Sequence, residues 1–184
     1  EGKKFYSWNH REPMDCPAVM QDLGLNAIAL RVLVNPHDGY CAMDDVLRKA
    51  RRVHQLGLDL LVSLHFSDTI ASSSLQRTPQ EWQDHSMEML AEDVRSHTAS
   101  VLQALTEEGI EPRWIQIGNQ LDNGLLWPAG YLTRYPTQYA TLVSSACRSA
   151  RTICPKAQII VAAGNPLHQP SLCAALDGLR TTDY

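Results

Sequence analysis

Apolar residues cluster along this chain in four short runs with little polar interruption, at residues 27–32 (Ala-Ile-Ala-Leu-Arg-Val), 59–64 (Asp-Leu-Leu-Val-Ser-Leu), 114–117 (Trp-Ile-Gln-Ile) and 158–162 (Gln-Ile-Ile-Val-Ala). Such runs predict strands buried on both faces, as in a parallel sheet. Between them the apolar positions recur at helical spacing, which predicts helices over 44–56, 79–108 and 137–153. The second is opened by the capping-box-like Thr78-Pro79-Gln80-Glu81. A first helix over 17–23 ends at Gly24, and a further helix is expected around 170–176. Helices and strands therefore alternate from end to end, the pattern of an α/β fold with a parallel sheet.

The connections are unequal. Helix-to-strand links are brief, whereas the strand-to-helix links, 33–43, 65–78 and 118–136, are long. In a β/α barrel the loops at the carboxyl ends of the strands build the active site, so the long loops mark the face to search. An open doubly wound sheet would also bind at carboxyl strand ends, but the chain carries neither a Gly-x-Gly-x-x-Gly fingerprint nor a Walker loop. A complete barrel takes eight strands and about 250 residues. The 184 residues here predict a single partial domain over 1–184, roughly strands two to five of a (β/α)8 TIM barrel. The open sheet edges are expected to be completed by a missing remainder of the barrel, in preference to a second chain or a dimer.

Composition narrows the partners. A formal charge of −4 and a pI near 5.9 give no electrostatic footprint for nucleic acid or anionic lipid. The basic run from Arg48 to Arg52 is interleaved with Val46, Leu47, Ala50 and Val53 and reads as the solvated face of an amphipathic helix. No apolar stretch approaches the roughly 20 residues of a membrane span. The chain opens without a methionine or an apolar leader, so any targeting peptide is expected to have been removed or to lie outside this sequence. Five cysteines form no Cys-x-x-Cys pair and no metal-like spacing, which favours buried thiols over a disulfide framework. No cofactor and no metal are expected.

Polar residues gather at three strand ends. Arg31 interrupts the first apolar run, where it serves either a binding site or an ion pair with a nearby acid. His65-Phe66-Ser67-Asp68-Thr69 follows the second run: His65 and Asp68 suit the hydroxyls of a saccharide, or His65 is a satisfied structural residue. Ser67 lacks the Gly-x-Ser-x-Gly elbow of an exposed nucleophile. After the third run comes Gly118-Asn119-Gln120, then a Gly- and Pro-containing loop with Trp127. The pair is either part of an ordinary turn or the polar floor of a site. Trp127 either stacks on a sugar ring or packs the loop down.

Arg31 to Pro36, His65 to Thr69, Gly118 to Gln120 and Leu126-Trp127-Pro128-x-Gly130 together resemble glycoside hydrolase family 53, the endo-β-1,4-galactanases. The resemblance runs from Lys4 to Tyr184 and covers the first half of a family member. It implies a retaining β/α barrel that cuts β-1,4-galactan side chains of pectin, in a secreted or periplasmic setting, with an acid/base glutamate after strand four and a nucleophilic glutamate after strand seven. It implies that Asn119 is the sugar 2-hydroxyl ligand, that Gln120 occupies the acid/base position, that Arg31 lies near the catalytic centre, and that Trp127 belongs to a subsite loop. His65 and Asp68 match a His-Tyr-Ser-Asp segment, with Phe66 for Tyr. The nucleophile has no counterpart in this sequence, and no metal is implied. Leu33, Ser63, Ile70 and Ser72 stand where the family commonly has Trp, Asp, Trp and Asp.

Glutamine keeps the size and hydrogen-bonding capacity of glutamate but has no acidic proton. The expectation is a galactanase-like homologue with impaired catalysis, acting on β-1,4-galactan or galacto-oligosaccharides. The alternative is a carbohydrate-binding pseudo-enzyme or interaction module.

Overall fold

Each apolar run pairs in parallel with the next. In the computed structural model, which describes residues 5–6, 13–164 and 173, the strands β3 (Ala27–Val32), β4 (Asp59–Leu64), β5 (Trp114–Ile117) and β8 (Gln158–Val161) form one sheet in that order. The crossovers are the helices α2 (Met43–Gln55), α3 (Met87–Glu107) and α4 (Pro136–Ile153). Sequential neighbours joined by helices are the arrangement of a barrel wall. A short helix α1 (Cys16–Asp22) precedes β3, and two-residue pairs flank the sheet: β1 (Phe5–Tyr6) with β2 (Pro13–Met14), and β6 (Gly124–Leu125) with β7 (Gly130–Tyr131). The helix expected around 170–176 falls on positions that, Cys173 apart, lie outside the described residues.

The helix ends follow local chemistry. Pro17 and Pro136 sit in the first turns of α1 and α4, where a missing N–H costs nothing. Asp44 and Asp45 lie in the first turn of α2, with Arg52 in the last, each charge matched to its end of the helix dipole.

Helix α3 corrects one expectation. It begins at Met87, not at residue 79, capped by Ser86, whose hydroxyl accepts the Met89 N–H at 3.3 Å. The Thr78 hydroxyl is spent elsewhere, donating to the Trp127 carbonyl at 2.9 Å. The Gln80 N–H is drawn to Asp68 at 2.8 Å, and residues Gln80–Trp82 form only a 3-10 turn.

Burial corrects another. The strands are covered on one face. Val32, Leu60, Val62, Leu64, Ile115 and Ile117 are buried and pack with Val46, Ala50 and Val53 of α2, with Leu90, Val94, Val101, Leu102 and Leu105 of α3, and with Tyr139, Leu142, Val143, Ala146 and Ala150 of α4. Burying each such aliphatic side chain stabilises the fold by roughly 1.5–3 kcal/mol before entropy is charged against it. On the other face Arg31, Ser63, Gln116 and Ile160 stand in register. Arg31 and Ala29 are exposed, and Leu61, Trp114 and Gln116 are only half-buried. This second face is the one that lines the interior when such a wall closes into a barrel, and among the described residues no helix covers it.

Candidate functional site

The site grows from the carboxyl ends of β4 and β5, where the loop after β4 folds over the loop after β5. Gly118 turns the chain at φ 67°, and Gln120 follows in the left-handed region at φ 49°, ψ 58°. A non-glycine residue in this region is uncommon and has to be held. Gln120 Oε1 accepts the Ser73 N–H at 3.1 Å. Asn119 Nδ2 donates to the Ala71 carbonyl at 2.9 Å, and its Oδ1 accepts from Gln116 Nε2 at 3.2 Å. Asn123 Nδ2 donates to the Ser73 carbonyl at 2.9 Å.

His65 supports this arrangement from below. It is buried, with 2% of its surface exposed, and its Nδ1 accepts the Ala71 N–H at 3.1 Å, so the neutral ring carries its proton on Nε2. Burial, and then the charge of Arg31, push its pKa down to about 4. Ala71 thus links His65 to Asn119, giving one backbone bond to each. Arg31 is the register partner of Ser63, two residues before His65. Among the described residues Arg31 makes no ion pair, so the pairing with an acid is not seen.

Gln116 fastens the strand to the site. Its Nε2 reaches Ser63 Oγ at 2.9 Å and the Gly118 carbonyl at 2.8 Å, besides Asn119. Arg31, Ser63, Gln116 and Asn119 therefore form a continuous polar row across the open face.

Asp68 lies apart from this row. Its two oxygens accept the Asn35 N–H at 3.0 Å and the Gln80 N–H at 2.8 Å, which pins the loop after β3 and the 3-10 turn to the loop after β4. It lines a cleft of about 290 Å³ with Ser67, Thr69, Arg77 and Thr78. Trp127 stands in the loop after β5. Its indole N–H donates to the Asn123 carbonyl at 3.0 Å, and its ring meets the edge of Tyr131 with centroids 5.2 Å apart. What Trp127 has left for a ligand is ring surface. The peptide Trp127–Pro128 is cis, and Gly124 and Gly130 approach so closely that a Cβ on either would collide with the other strand's backbone.

Gln76 is the residue the sequence reading missed. It is buried, its Nε2 donates to the carbonyls of Asn119 at 2.7 Å and Gln120 at 3.3 Å, and its own carbonyl accepts the Trp127 N–H at 2.7 Å. An uncharged amide in an irregular loop leaves no periodic signal.

Among the described residues no group of three or more His, Cys, Asp or Glu gathers to hold a metal, and no helix is long and apolar enough to cross a membrane. Cys41, Cys147 and Cys154 are buried free thiols. What the arrangement offers is a row of neutral hydrogen-bonding groups with Arg31 at its end, Arg77 at the Asp68 cleft, and the indole ring of Trp127. Asp68, Glu81 and Asp122 are nearby carboxylates, and Asp122 is buried with Oδ2 on the Gly164 N–H at 2.7 Å.

The fold and the motifs have relatives. Among solved structures, the Ignisphaera aggregans GH53 catalytic domain superposes with a TM-score of 0.90 at 26% identity, over 98% of this chain and 52% of that one. A fungal beta-1,4-galactanase superposes at 0.88 and 28% identity, over 97% and 53%. A probable arabinogalactan endo-beta-1,4-galactanase A of Neosartorya fischeri is 34% identical over 145 residues, which is 78% of this chain and 40% of the fungal protein. The arabinogalactan endo-beta-1,4-galactanase A of Aspergillus niger is 35% identical over 117 residues, or 64% of this chain and 33% of that enzyme. The chain thus spans well under two thirds of the length of these relatives, and its four-stranded wall corresponds to about half of their barrel. The profile of Glycosyl hydrolase family 53 matches residues 1–183, and by that match, the shared architecture and the fungal relatives together, the chain belongs to glycosyl hydrolase family 53.

Proposed function

We propose that this chain is the acid/base half of a galactanase-type barrel whose general acid has been replaced by an amide, so that the site binds β-1,4-galactan or its oligosaccharides and hydrolyses them poorly. The observation that carries the reading is Gln120. It stands at the carboxyl end of β5, beside Asn119 and within the loop system of Trp127, with its side-chain oxygen on the Ser73 N–H. In the retaining mechanism a carboxylate attacks the anomeric carbon while an acid protonates the departing oxygen, and that same residue later deprotonates water. Gln120 has no proton of suitable acidity for the first step and no basic oxygen for the second. General acid/base assistance is worth on the order of 10²–10⁴-fold, and that is the loss assigned to this position.

In this reading Asn119 and Gln120 hold sugar hydroxyls, Trp127 supplies an apolar surface, Arg31 supplies the positive charge of the row, and His65 and Asp68 keep the loops in place. The nucleophile belongs to barrel strands outside this sequence. The protein acts outside the cell, as the family resemblance implies.

A pseudo-enzyme that binds and does not cut is the second reading. It is favoured by the residues at positions 33 and 70: Leu33 is buried, and Ile70 is 51% exposed where the resemblance leads one to expect aromatic platforms.

The test is hydrolysis of β-1,4-galactan by the full-length protein that contains this sequence, beside its Gln120→Glu variant, with calorimetric titration of galactotetraose into both. Binding by the parent and a gain in turnover of about 10²-fold or more in the variant are expected. Binding with no gain, in a folded variant, removes the acid/base assignment and leaves the pseudo-enzyme. No binding in either removes the sugar site.

A further inference from the structure

Two carbonyl oxygens at the turn of the site need donors. The Asn119 and Gln120 carbonyls both face the loop after β4, and the backbone between them is in the left-handed conformation at Gln120. Gln76 meets both with the N–H groups of a single buried nitrogen, at 2.7 and 3.3 Å. Its backbone carbonyl at the same time accepts the Trp127 N–H at 2.7 Å. Of the other bonds between the two loops, Ser73 to Gln120, Asn119 to Ala71 and Asn123 to Ser73 hold side chains of the second loop to the backbone of the first, and the Thr78 hydroxyl reaches the Trp127 carbonyl but not the polar pair. Among the described residues, Gln76 alone holds the backbone of both the polar pair and the aromatic residue.

We propose that Gln76 is the positioning residue of the sugar site: one buried amide fixes the strained Asn119–Gln120 turn and the Trp127 loop in a common frame, and so sets the spacing between the polar pair and the indole surface. The proposal rests on the sugar-site reading above. The chemistry asks for this residue type. Two carbonyl oxygens only accept, so the group between them has to donate twice from one point, which a primary amide does and a carboxylate does not. Glutamate at position 76 keeps the shape of glutamine but sets its charge against two acceptors. When protonated it regains one O–H donor. Methionine keeps the length and donates nothing at any pH.

This difference supplies a test that packing alone does not pass. In the full-length protein, amide hydrogen exchange of segments 118–127 and 72–78 is compared with that of α3 in the parent, in Gln76→Met and in Gln76→Glu, at neutral and at mildly acidic pH. Alongside, galactotetraose affinity is measured for each. At neutral pH both variants are expected to lose about tenfold or more of the protection in segments 118–127 and 72–78, with α3 unchanged, and to bind galactotetraose about tenfold more weakly. On acidification Gln76→Glu is expected to recover protection and Gln76→Met is not. Loss spread evenly over loops and helices, no loss in the loops, or identical pH behaviour of the two variants overturns the proposal. A parent that binds no galactotetraose defeats the sugar-site reading, while the exchange measurements still decide whether Gln76 sets the frame.

Discussion

Gln120 Oε1 accepts the Ser73 N–H at 3.1 Å, and this bond decides which way the amide of Gln120 faces: the oxygen is turned to the loop after β4 and the Nε2 group away from it. An amide that presents its N–H groups can bind oxygen atoms but has no acidic proton to transfer.

The same bond makes a prediction about stability that is independent of any activity. Gln120→Glu keeps an oxygen for the Ser73 N–H, so its unfolding free energy in urea is expected within about 0.5 kcal/mol of the parent. Gln120→Leu leaves that N–H without a partner in a half-buried loop and is expected to cost about 1–3 kcal/mol. Equal midpoints and slopes for the leucine variant and the parent would show that the bond contributes nothing.

Two buried histidines make the fold acid-sensitive. His65 and His97 both have pKa values pushed down from 6.5 to about 4, His65 by burial and then by Arg31, His97 by burial alone. His97 is packed between the ring edges of Phe66 and Trp82, with ring centroids 6.1 Å apart in each pair, and its Nε2 has no hydrogen-bond partner among the described residues. In the unfolded chain each histidine takes up a proton near pH 6.5, and in the folded chain only near pH 4. Between these values the unfolded state binds more protons, so stability rises with pH and falls on acidification, by about 1.4 kcal/mol per pH unit for each residue in mid-window. Above the window the contribution is present in full. Urea unfolding across the range is expected to show this slope, reduced in His65→Gln and again in the double variant with His97→Met. An unchanged slope in the double variant would place the acid sensitivity elsewhere.

The glycine pair behind Trp127 is a steric requirement. Gly124 has φ 98°, and a Cβ there would run into the Gly130 carbonyl and the Leu132 N–H. Gly124→Ala is expected to separate β6 from β7 and release the loop that carries Trp127, with a loss of at least about 1 kcal/mol. Gly57 also has a positive φ, of 66°, but a Cβ there meets nothing within 4 Å. Gly57→Ala is therefore expected to show backbone strain alone, and Trp fluorescence should shift in the first variant and not in the second. Equal shifts would contradict the role given to the β6–β7 contact.

The four sheet strands and the three long helices were legible because each depends on neighbours in sequence: apolar runs, helical periodicity, a proline at a first turn. The family was legible from four short motifs in order. The open inner face was not, since Ala29, Leu61 and Ile160 read as core whichever side they occupy, and only the register reveals which side the helices cover. Gln76 was hidden for a similar reason. Its partners lie 43 and 44 residues later in the chain, and a glutamine in a loop has the composition of any solvated turn. That both Asp68 oxygens accept backbone N–H groups, from Asn35 and Gln80, was not legible either, because those partners lie 33 and 12 residues away in loops.

Thr78 and Ser86 divide a task that the sequence assigns to Thr78 alone, and substitution separates them. Ser86 accepts the Met89 N–H at the start of α3, one of the donors a helix cannot satisfy internally. Its hydroxyl also donates to Glu88 at 2.8 Å. Ser86→Ala is expected to destabilise the protein by about 1 kcal/mol through the lost cap, with the loops unchanged. Thr78 has no helix to cap. Its hydroxyl donates to the Trp127 carbonyl across the loop interface, and Thr78→Val preserves the shape while removing the donor. The valine variant is therefore expected to keep the helix and to loosen the Trp127 loop, raising hydrogen exchange over 124–131 while the first turn of α3 stays protected. Exchange in Ser86→Ala should show the reverse pattern, with α3 fraying at its amino end and the loop undisturbed. If Thr78→Val frayed the helix instead, the start of α3 would lie near residue 79, as the spacing of apolar residues alone suggests, and the bond to Trp127 would be incidental.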